Sequence, residues 1–151
     1  MLSDICHYQA ISPLLASSGQ PDERQLAEIA AHGYSTVINL GLHDDPRYAL
    51  PDERGTVEAL GMAYLHIPVQ FTAPTREDLA RFCTAMAAQQ TAKTWVHCAA
   101  NKRVSVFLGL YWHLYGGQTV ADAFALQRGI WEPDAVWERF IAECLDSPPD
   151  N

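Results

Sequence analysis

Lys93-Thr-Trp-Val-His-Cys-Ala-Ala-Asn-Lys-Arg-Val-Ser-Val-Phe-Leu-Gly-Leu-Tyr-Trp-His-Leu-Tyr115 is the stretch whose reading decides the fold. Its opening run, Thr94 to Val96, is short, bulky and β-branched, the composition of a buried strand. From Val104 onward, Val104, Phe107, Leu108, Tyr111, Leu114 and Tyr115 recur at helical spacing. Val106, Leu110 and Trp112 fill the opposite side, which predicts a helix buried around most of its circumference. Between the two lies the tight loop Cys98-Ala-Ala-Asn-Lys-Arg103. A thiol that ends a strand and opens into a helix is well placed for activation. The free N–H groups of the first turn and the positive end of the helix dipole stabilise a thiolate and attract anions. Lys102 and Arg103 add cationic charge beside the sulfur. A free cysteine more often just fills space, but a position after His97, at a strand end and before a basic helix start, points to a site. The loop reads as a nucleophile's seat or an oxyanion cradle.

Val96-His97-Cys98, a short loop, a basic residue, Ser105 and a long apolar helix together resemble the cysteine-based protein tyrosine and dual-specificity phosphatases. That superfamily carries His-Cys-x5-Arg-Ser/Thr, usually with Gly three residues after the Cys. Ser18-Gly19-Gln20-Pro21, Thr36-Val-Ile-Asn-Leu40 and Tyr64-Leu-His-Ile-Pro68 are similar to early segments of a bacterial phosphatase-like branch, so the resemblance runs from about Tyr8 to about Tyr115. It implies Cys98 as nucleophile, with Arg103 and Ser105 beside it. It also implies a phosphate-binding loop of Ala99, Ala100, Asn101, Lys102, Arg103 and Val104. The chain departs from the pattern in two places. Val104 stands where the superfamily's Arg stands, with Arg103 one residue early, and Asn101 replaces the Gly, a position where Asn tolerates the left-handed conformation.

With 151 residues, one domain over 1–151 is expected, long enough to bury a sizeable core. Hydrophobic content of 48% and charged content of 19% fit a globular protein, and no run approaches the roughly 18 apolar residues of a membrane helix. Met1-Leu-Ser-Asp-Ile-Cys-His carries no basic segment followed by an apolar one, so a cytoplasmic location is expected. A net charge of −8 argues against nucleic acid or an anionic membrane as partner. Cys6, Cys83, Cys98 and Cys144 are far apart, a reduced pattern with no disulfide framework or zinc spacing. Cys83 and Cys144 fall on apolar helix faces. A metal held by Cys98, His97 and His66 has no diagnostic spacing, and no cofactor is expected.

Taken in order, Tyr8 to Ser17 predicts a strand and turn, or a hairpin, on the sheet edge. Pro21 suits the first helical position, and His32-Gly33 stops that helix. Thr36 to Leu40 alternates too little for a solvated face and should be a central parallel strand. Gly41 to Pro51, with His43, Asp44, Asp45 and Arg47, is a loop at a strand's carboxyl end, where ligands bind in open α/β sheets. Asp52 to Leu60 is a helix, and Ala63 to Val69 a strand in which His66 points off the sheet. Thr75 begins a helix with the inner stripe Leu79, Phe82, Cys83 and Met86. Val120 to Gln127 and Pro133 to Leu145 are amphipathic helices pinned by Trp131 and Trp137, and 147–151 is a tail. Strands alternating with helices predict an α/β three-layer sandwich around a mostly parallel sheet of four to five strands.

Phosphate-monoester hydrolysis at Cys98 needs a thiolate, a cradle of donors and an acid for the leaving oxygen. The resemblance places the acid after the strand Tyr64 to Pro68, but Val69-Gln-Phe-Thr-Ala-Pro-Thr75 holds no carboxylate. Asp44, Asp45 or the Asp52-Glu53 pair would have to serve. Three readings stay open. One is a cysteine phosphatase, slow or atypical, acting on a phosphorylated small molecule or phosphoprotein. The second is a silent module that holds a phosphorylated or other anionic ligand, inorganic phosphate or sulfate included. The third is a sulfur-transfer thiol enzyme.

Overall fold

The computed structural model describes residues 1–149; Asp150 and Asn151, part of the tail expected over 147–151, lie outside it. A short 3-10 turn at Leu2–Asp4 precedes the strands β1 (Gln9–Ser12) and β2 (Leu15–Ser18). Helix α1 (Glu23–Ala31), β3 (Thr36–Asn39), α2 (Glu53–Ala59), β4 (Ala63–His66), α3 (Arg76–Ala88) and β5 (Thr94–His97) alternate after them. Helices α4 (Lys102–Leu114), α5 (Val120–Ala123), α6 (Ala125–Arg128) and α7 (Ala135–Asp146) follow. The five strands form one sheet in the order β1-β2-β5-β3-β4, antiparallel only between β1 and β2. The mostly parallel sheet is the one expected.

Period-2 alternation along the strands feeds two cores. Val37 and Trp95 face one layer with Leu26, Ile29 and Val57, while Ile38 and Val96 face the other with Leu79, Phe82, Val106, Phe107 and Trp137. Helices therefore cover both faces, as parallel strands require. β5 lies between two parallel neighbours, and register sets His97 beside Ser18 on one side and Asn39 on the other, with His66 beyond Asn39. That polar row closes the carboxyl edge of the sheet, where the Cys98 loop begins.

Side-chain caps start the helices: Asp22, Asp52, Thr75, Thr119 and Asp134 each accept from a backbone N–H three residues on. Four local expectations change. Asp22 takes the cap, so Pro21 lies before the helix and not in its first turn. The hairpin leaves only β1 on the edge, because β2 pairs with β5. The strand expected through Val69 is regular only to His66, since Pro68 has no N–H to offer, although Ile67 and Val69 still donate to Asn39 and Leu40 carbonyls at 2.9 and 3.0 Å. The helix expected over Val120 to Gln127 breaks at Phe124, whose ring is seated on Gly109 of α4; a Cβ on Gly109 would lie 2.8 Å from that ring.

Trp137 joins the helical layer to the site. It is fully buried, and its indole N–H donates to the Phe71 carbonyl at 2.8 Å, so α7 grips the loop after β4. Phe71, Trp131, Phe107 and Phe140 surround it with ring centroids 5.7–6.1 Å away. Trp137→Ala is expected to lower unfolding free energy by about 3–5 kcal/mol through cavity formation. Trp137→Phe, which mainly orphans the Phe71 carbonyl, should cost about 1–3 kcal/mol. Denaturant titration of the two variants checks the order.

Candidate active site

The loop after β5 is shaped by three contacts. Asn101 stands at the start of α4 with φ of +64°, a left-handed conformation that Asn tolerates far better than a β-branched residue. Its amide donates to the His7 carbonyl at 2.9 Å and the Ser17 hydroxyl at 3.0 Å, tying the loop to the N-terminal segment and to β2. The Gln20 N–H donates to the Ala99 carbonyl at 3.0 Å, and Gly19 lies so close that a Cβ there would meet that oxygen at 2.5 Å. Only glycine fits that approach.

Cys98, buried at the loop's root, opens onto a cavity of about 320 Å³ lined also by Ala99, Ala100, Lys102, Arg103, Tyr48 and Phe71. Arg103 is only 7% exposed. Its Nη1 donates to the Val69 carbonyl at 2.8 Å, and its guanidinium lies 5.9 Å from the centre of the Phe71 ring. Its Nε is buried without a partner. A buried cationic N–H left unsatisfied is costly unless an acceptor comes to it. The Lys102 ammonium is held over the Trp131 ring at 5.5 Å. The first-turn amides of α4 lack intrahelical acceptors by geometry, and Lys102, Arg103 and Val104 belong to that turn. Together these groups set cationic and N–H donors beside a thiol, an arrangement chemically suited to an anion.

Not every expected residue reaches it. Val104 points into the core, fully buried, and Asn101 faces β2 rather than the cavity. The Ser105 hydroxyl donates to the Lys102 carbonyl at 2.6 Å and accepts from the Trp131 indole at 3.0 Å, so it braces the helix start and does not line the cavity. The proposed acids are elsewhere too. Asp45 chelates Arg47 at 2.8 Å, which holds its carboxyl below the usual range. Asp44 lines a separate hollow with His43, Pro46 and Leu50. Asp52 caps α2 through the Gly55 N–H, and Glu53 is buried. Cys83 and Cys144 are core thiols, pushed up by burial to about 12 and about 11.

A polar network beneath the loop escaped the sequence reading. His97, fully buried, meets Glu53 at 2.8 Å through Nε2, and its Nδ1 donates to the Cys98 carbonyl at 3.3 Å. The Gln20 amide donates to the other Glu53 oxygen at 2.5 Å, and the nearby Tyr64 hydroxyl also favours the charged form of this carboxyl. Burial alone would push the Glu53 carboxyl up; the His97 charge and these donors outweigh it and hold it down. Asn39 donates to the Tyr64 hydroxyl at 3.0 Å, while His66 donates to the Gly41 carbonyl at 2.7 Å and stacks on His43 at 4.1 Å. His97 and His66 thus point to different partners. Among the described residues, no group of three or more His, Cys, Asp or Glu side chains is placed to hold a metal.

Residues 7–118 match the family described as Beta-lactamase hydrolase-like protein, phosphatase-like domain. The chain belongs to this family. The span of the match agrees with the similarity noted from Tyr8 to Tyr115. A Beta-lactamase hydrolase-like protein of Xylella fastidiosa is 31% identical to this phosphatase-like chain over 102 residues, which are 66% of the chain but 23% of that relative's length. A DUF442 protein of Shewanella putrefaciens, assigned provisionally to the phosphatases, superposes with a TM-score of 0.85 at 31% identity, covering 99% of this chain and 97% of its own. Tk-PTP in its active form gives 0.77 at 23% identity, covering 93% and 97%. TpbA of Pseudomonas aeruginosa, in complex with pTyr, gives 0.68 at 17% identity, covering 90% and 88%. At those last two identities the shared property is the fold, that of the protein tyrosine and dual-specificity phosphatases. No helix among the described residues is long and apolar enough to cross a membrane.

The loop contacts predict an order of damage in the phosphatase-like domain. Asn101→Gly keeps the backbone conformation and loses two side-chain hydrogen bonds, whereas Asn101→Ala loses both and adds left-handed strain of about 1–2 kcal/mol. Thermal unfolding should therefore rank wild type above Gly and Gly above Ala.

Proposed function

We propose that this chain is a cysteine-dependent phosphatase that hydrolyses a phosphate monoester through the Cys98 thiolate. One observation carries the reading. Arg103 is anchored by the Val69 carbonyl in the cavity that Cys98 shares, with a buried Nε still in need of an acceptor. A phosphoryl oxygen satisfies that donor, and the planar guanidinium matches two such oxygens at once.

In this mechanism the sulfur of Cys98 attacks phosphorus while the ester P–O bond breaks, giving a cysteinyl phosphate and a free alkoxide or phenoxide. Water then attacks phosphorus, the P–S bond breaks, and inorganic phosphate leaves with the thiolate restored. Arg103 and the amides of the loop and first turn take the charge of the equatorial oxygens. Substrates are phosphorylated small molecules or phosphoproteins. The described lining of the cavity holds no carboxylate. Protonation of the leaving oxygen is therefore not assisted by a positioned acid, worth 10²- to 10⁴-fold where one acts. Turnover is slow, and fastest on aryl esters, whose leaving oxygen needs the least help. The same observation favours a second reading, in which the cavity holds phosphate or a phosphorylated ligand without turnover.

Cys98→Ser should abolish arylphosphatase activity while keeping anion binding. Arg103→Ala should cost about 10²- to 10³-fold in turnover, the scale of one lost oxyanion donor. Arg103→Lys should be nearly as harmful, because an ammonium loses the bidentate fork. Steady-state rates on an aryl phosphate and phosphate affinity by calorimetry are the measurements. Wild-type behaviour of Arg103→Lys in both would remove the clamp, and phosphate binding with no measurable turnover would select the second reading.

A further inference from the structure

His97 faces oxygen on both sides. The Glu53 carboxyl lies 2.8 Å from Nε2 and the Cys98 carbonyl 3.3 Å from Nδ1. A carbonyl only accepts, so Nδ1 carries a proton. A proton also lies between Nε2 and Glu53. The second Glu53 oxygen receives the Gln20 amide at 2.5 Å, and the nearby Tyr64 hydroxyl also favours the charged carboxyl. Donors of that kind favour the carboxylate, which leaves the shared proton on the ring. Both partners are fully shielded from water, so each charge needs the other.

From this geometry we infer that Glu53 is a positioning residue for Cys98: it keeps His97 doubly protonated, which fixes the Cys98 carbonyl and leaves a cation on the residue that precedes the thiol. The inference rests on reading Cys98 as the nucleophile. Glu53 enters at the first turn of α2, and Gln20 joins it to the loop twice, by its side chain on Glu53 and by its backbone N–H on Ala99. The bonds form a ring through Ala99, Gln20, Glu53, His97 and Cys98. If residue 53 is neutral, its own O–H or N–H donates to Nε2, His97 keeps a single ring proton for the Cys98 carbonyl, and the positive charge on the ring disappears.

Other titratable groups around the pair come from each neighbouring element. Tyr64 and His66 belong to β4, His43 to the loop after β3 and Arg54 to α2, where its guanidinium covers the Tyr64 ring at 5.0 Å. Cys6 of the N-terminal segment interacts with Cys98, and Arg103 of α4 shares its cavity. None of the four neighbours of the pair is hydrogen-bonded to His97; among the described residues, Glu53 alone supplies the counter-charge at contact distance.

The test is the alkylation rate of Cys98 by iodoacetamide against pH, read by mass spectrometry of the Cys98 peptide, in wild type, Glu53→Gln and Gln20→Ala. Ring ¹⁵N shifts of His97 are recorded in parallel. Glu53→Gln should raise the thiol midpoint by about one pH unit, a roughly tenfold loss of thiolate at neutral pH, and leave His97 with one ring proton. Gln20→Ala should move the midpoint the same way by less. A structural role alone would lower the melting temperature and leave the midpoint where it was, which overturns the proposal. So does a singly protonated His97 in wild type at pH 7. If Glu53→Gln does not fold, an unmoved midpoint in Gln20→Ala overturns it as well. None of these readouts needs turnover. A wild type that binds no phosphate and cleaves no aryl ester sinks the phosphatase reading without touching them.

Discussion

The structure depends on β5 being held between two parallel partners. Its register sets Ser18, His97 and Asn39 abreast at the carboxyl edge, and all three side chains are fully buried. A buried polar row is unstable unless each member finds a partner. Here each does. Ser18 accepts from the Trp95 indole at 2.8 Å and donates to the Gly19 carbonyl at 2.7 Å. Asn39 accepts the Gly41 N–H at 2.7 Å and donates to Tyr64. His97 takes Glu53 from α2, the helix after the neighbouring strand. The bonds to Gly19, Gly41 and Glu53 fix the chain as it leaves the strand ends, and those from Trp95 and to Tyr64 tie neighbouring strands together. An apolar row would serve the sheet's stability as well, since a buried ion pair contributes little net free energy over hydrophobic packing. It would not hold the loops.

Above that row, loop length decides which residue faces the thiol. Successive residues of a helix are turned by about 100° from one another. Arg103 and Val104 therefore cannot share a face, and whichever one faces the cavity sends the other into the core. The left-handed Asn101, locked to His7 and Ser17, starts α4 early enough for Arg103 to win. Val104 joins the apolar cluster, and the hydroxyl of Ser105 is turned to Trp131. The basic residue one position early is thus the one that lines the Cys98 cavity.

What the sequence made legible follows from range. The strand–loop–helix around Cys98, the alternation through Val37 and Ile38, the caps at Asp52 and Thr75, and the buried stripe of α3 all have local signatures. The partners beneath the loop have none. Glu53 is 44 residues from His97 and 33 from Gln20. No periodicity or spacing marks such a pairing, and the one local sign, a carboxylate in the first turn of a helix, suggests only dipole compensation. Asp44 and Asp45 follow a strand end, where an acid is expected, but Asp45 pairs with Arg47 and Asp44 lines a separate hollow. Ser105 stands at the spacing that the resemblance implies, but its hydroxyl is turned to the Lys102 carbonyl and the Trp131 indole.

The two loop cations are held by different means, and both lead back to the same aromatic cluster. Arg103 is fixed from beneath by the Val69 carbonyl and Phe71, and Phe71 is fixed by the Trp137 indole. Lys102 lies over Trp131, which is fixed by the Ser105 hydroxyl and packs against Trp137 at 6.0 Å. In a chain of net charge −8, a dianionic ligand meets repulsion at long range, screened beyond about 8–10 Å at ordinary ionic strength. Attraction must then come from charges fixed at contact distance. Fixing them calls for rigid, desolvated surroundings, because a mobile surface cation loses side-chain entropy on binding and is screened by water. The tryptophans of the helical layer provide those surroundings. A helix remote in sequence from Cys98 thus sets the stiffness of the two cations that line its cavity, and α7 belongs to that site as much as to the fold.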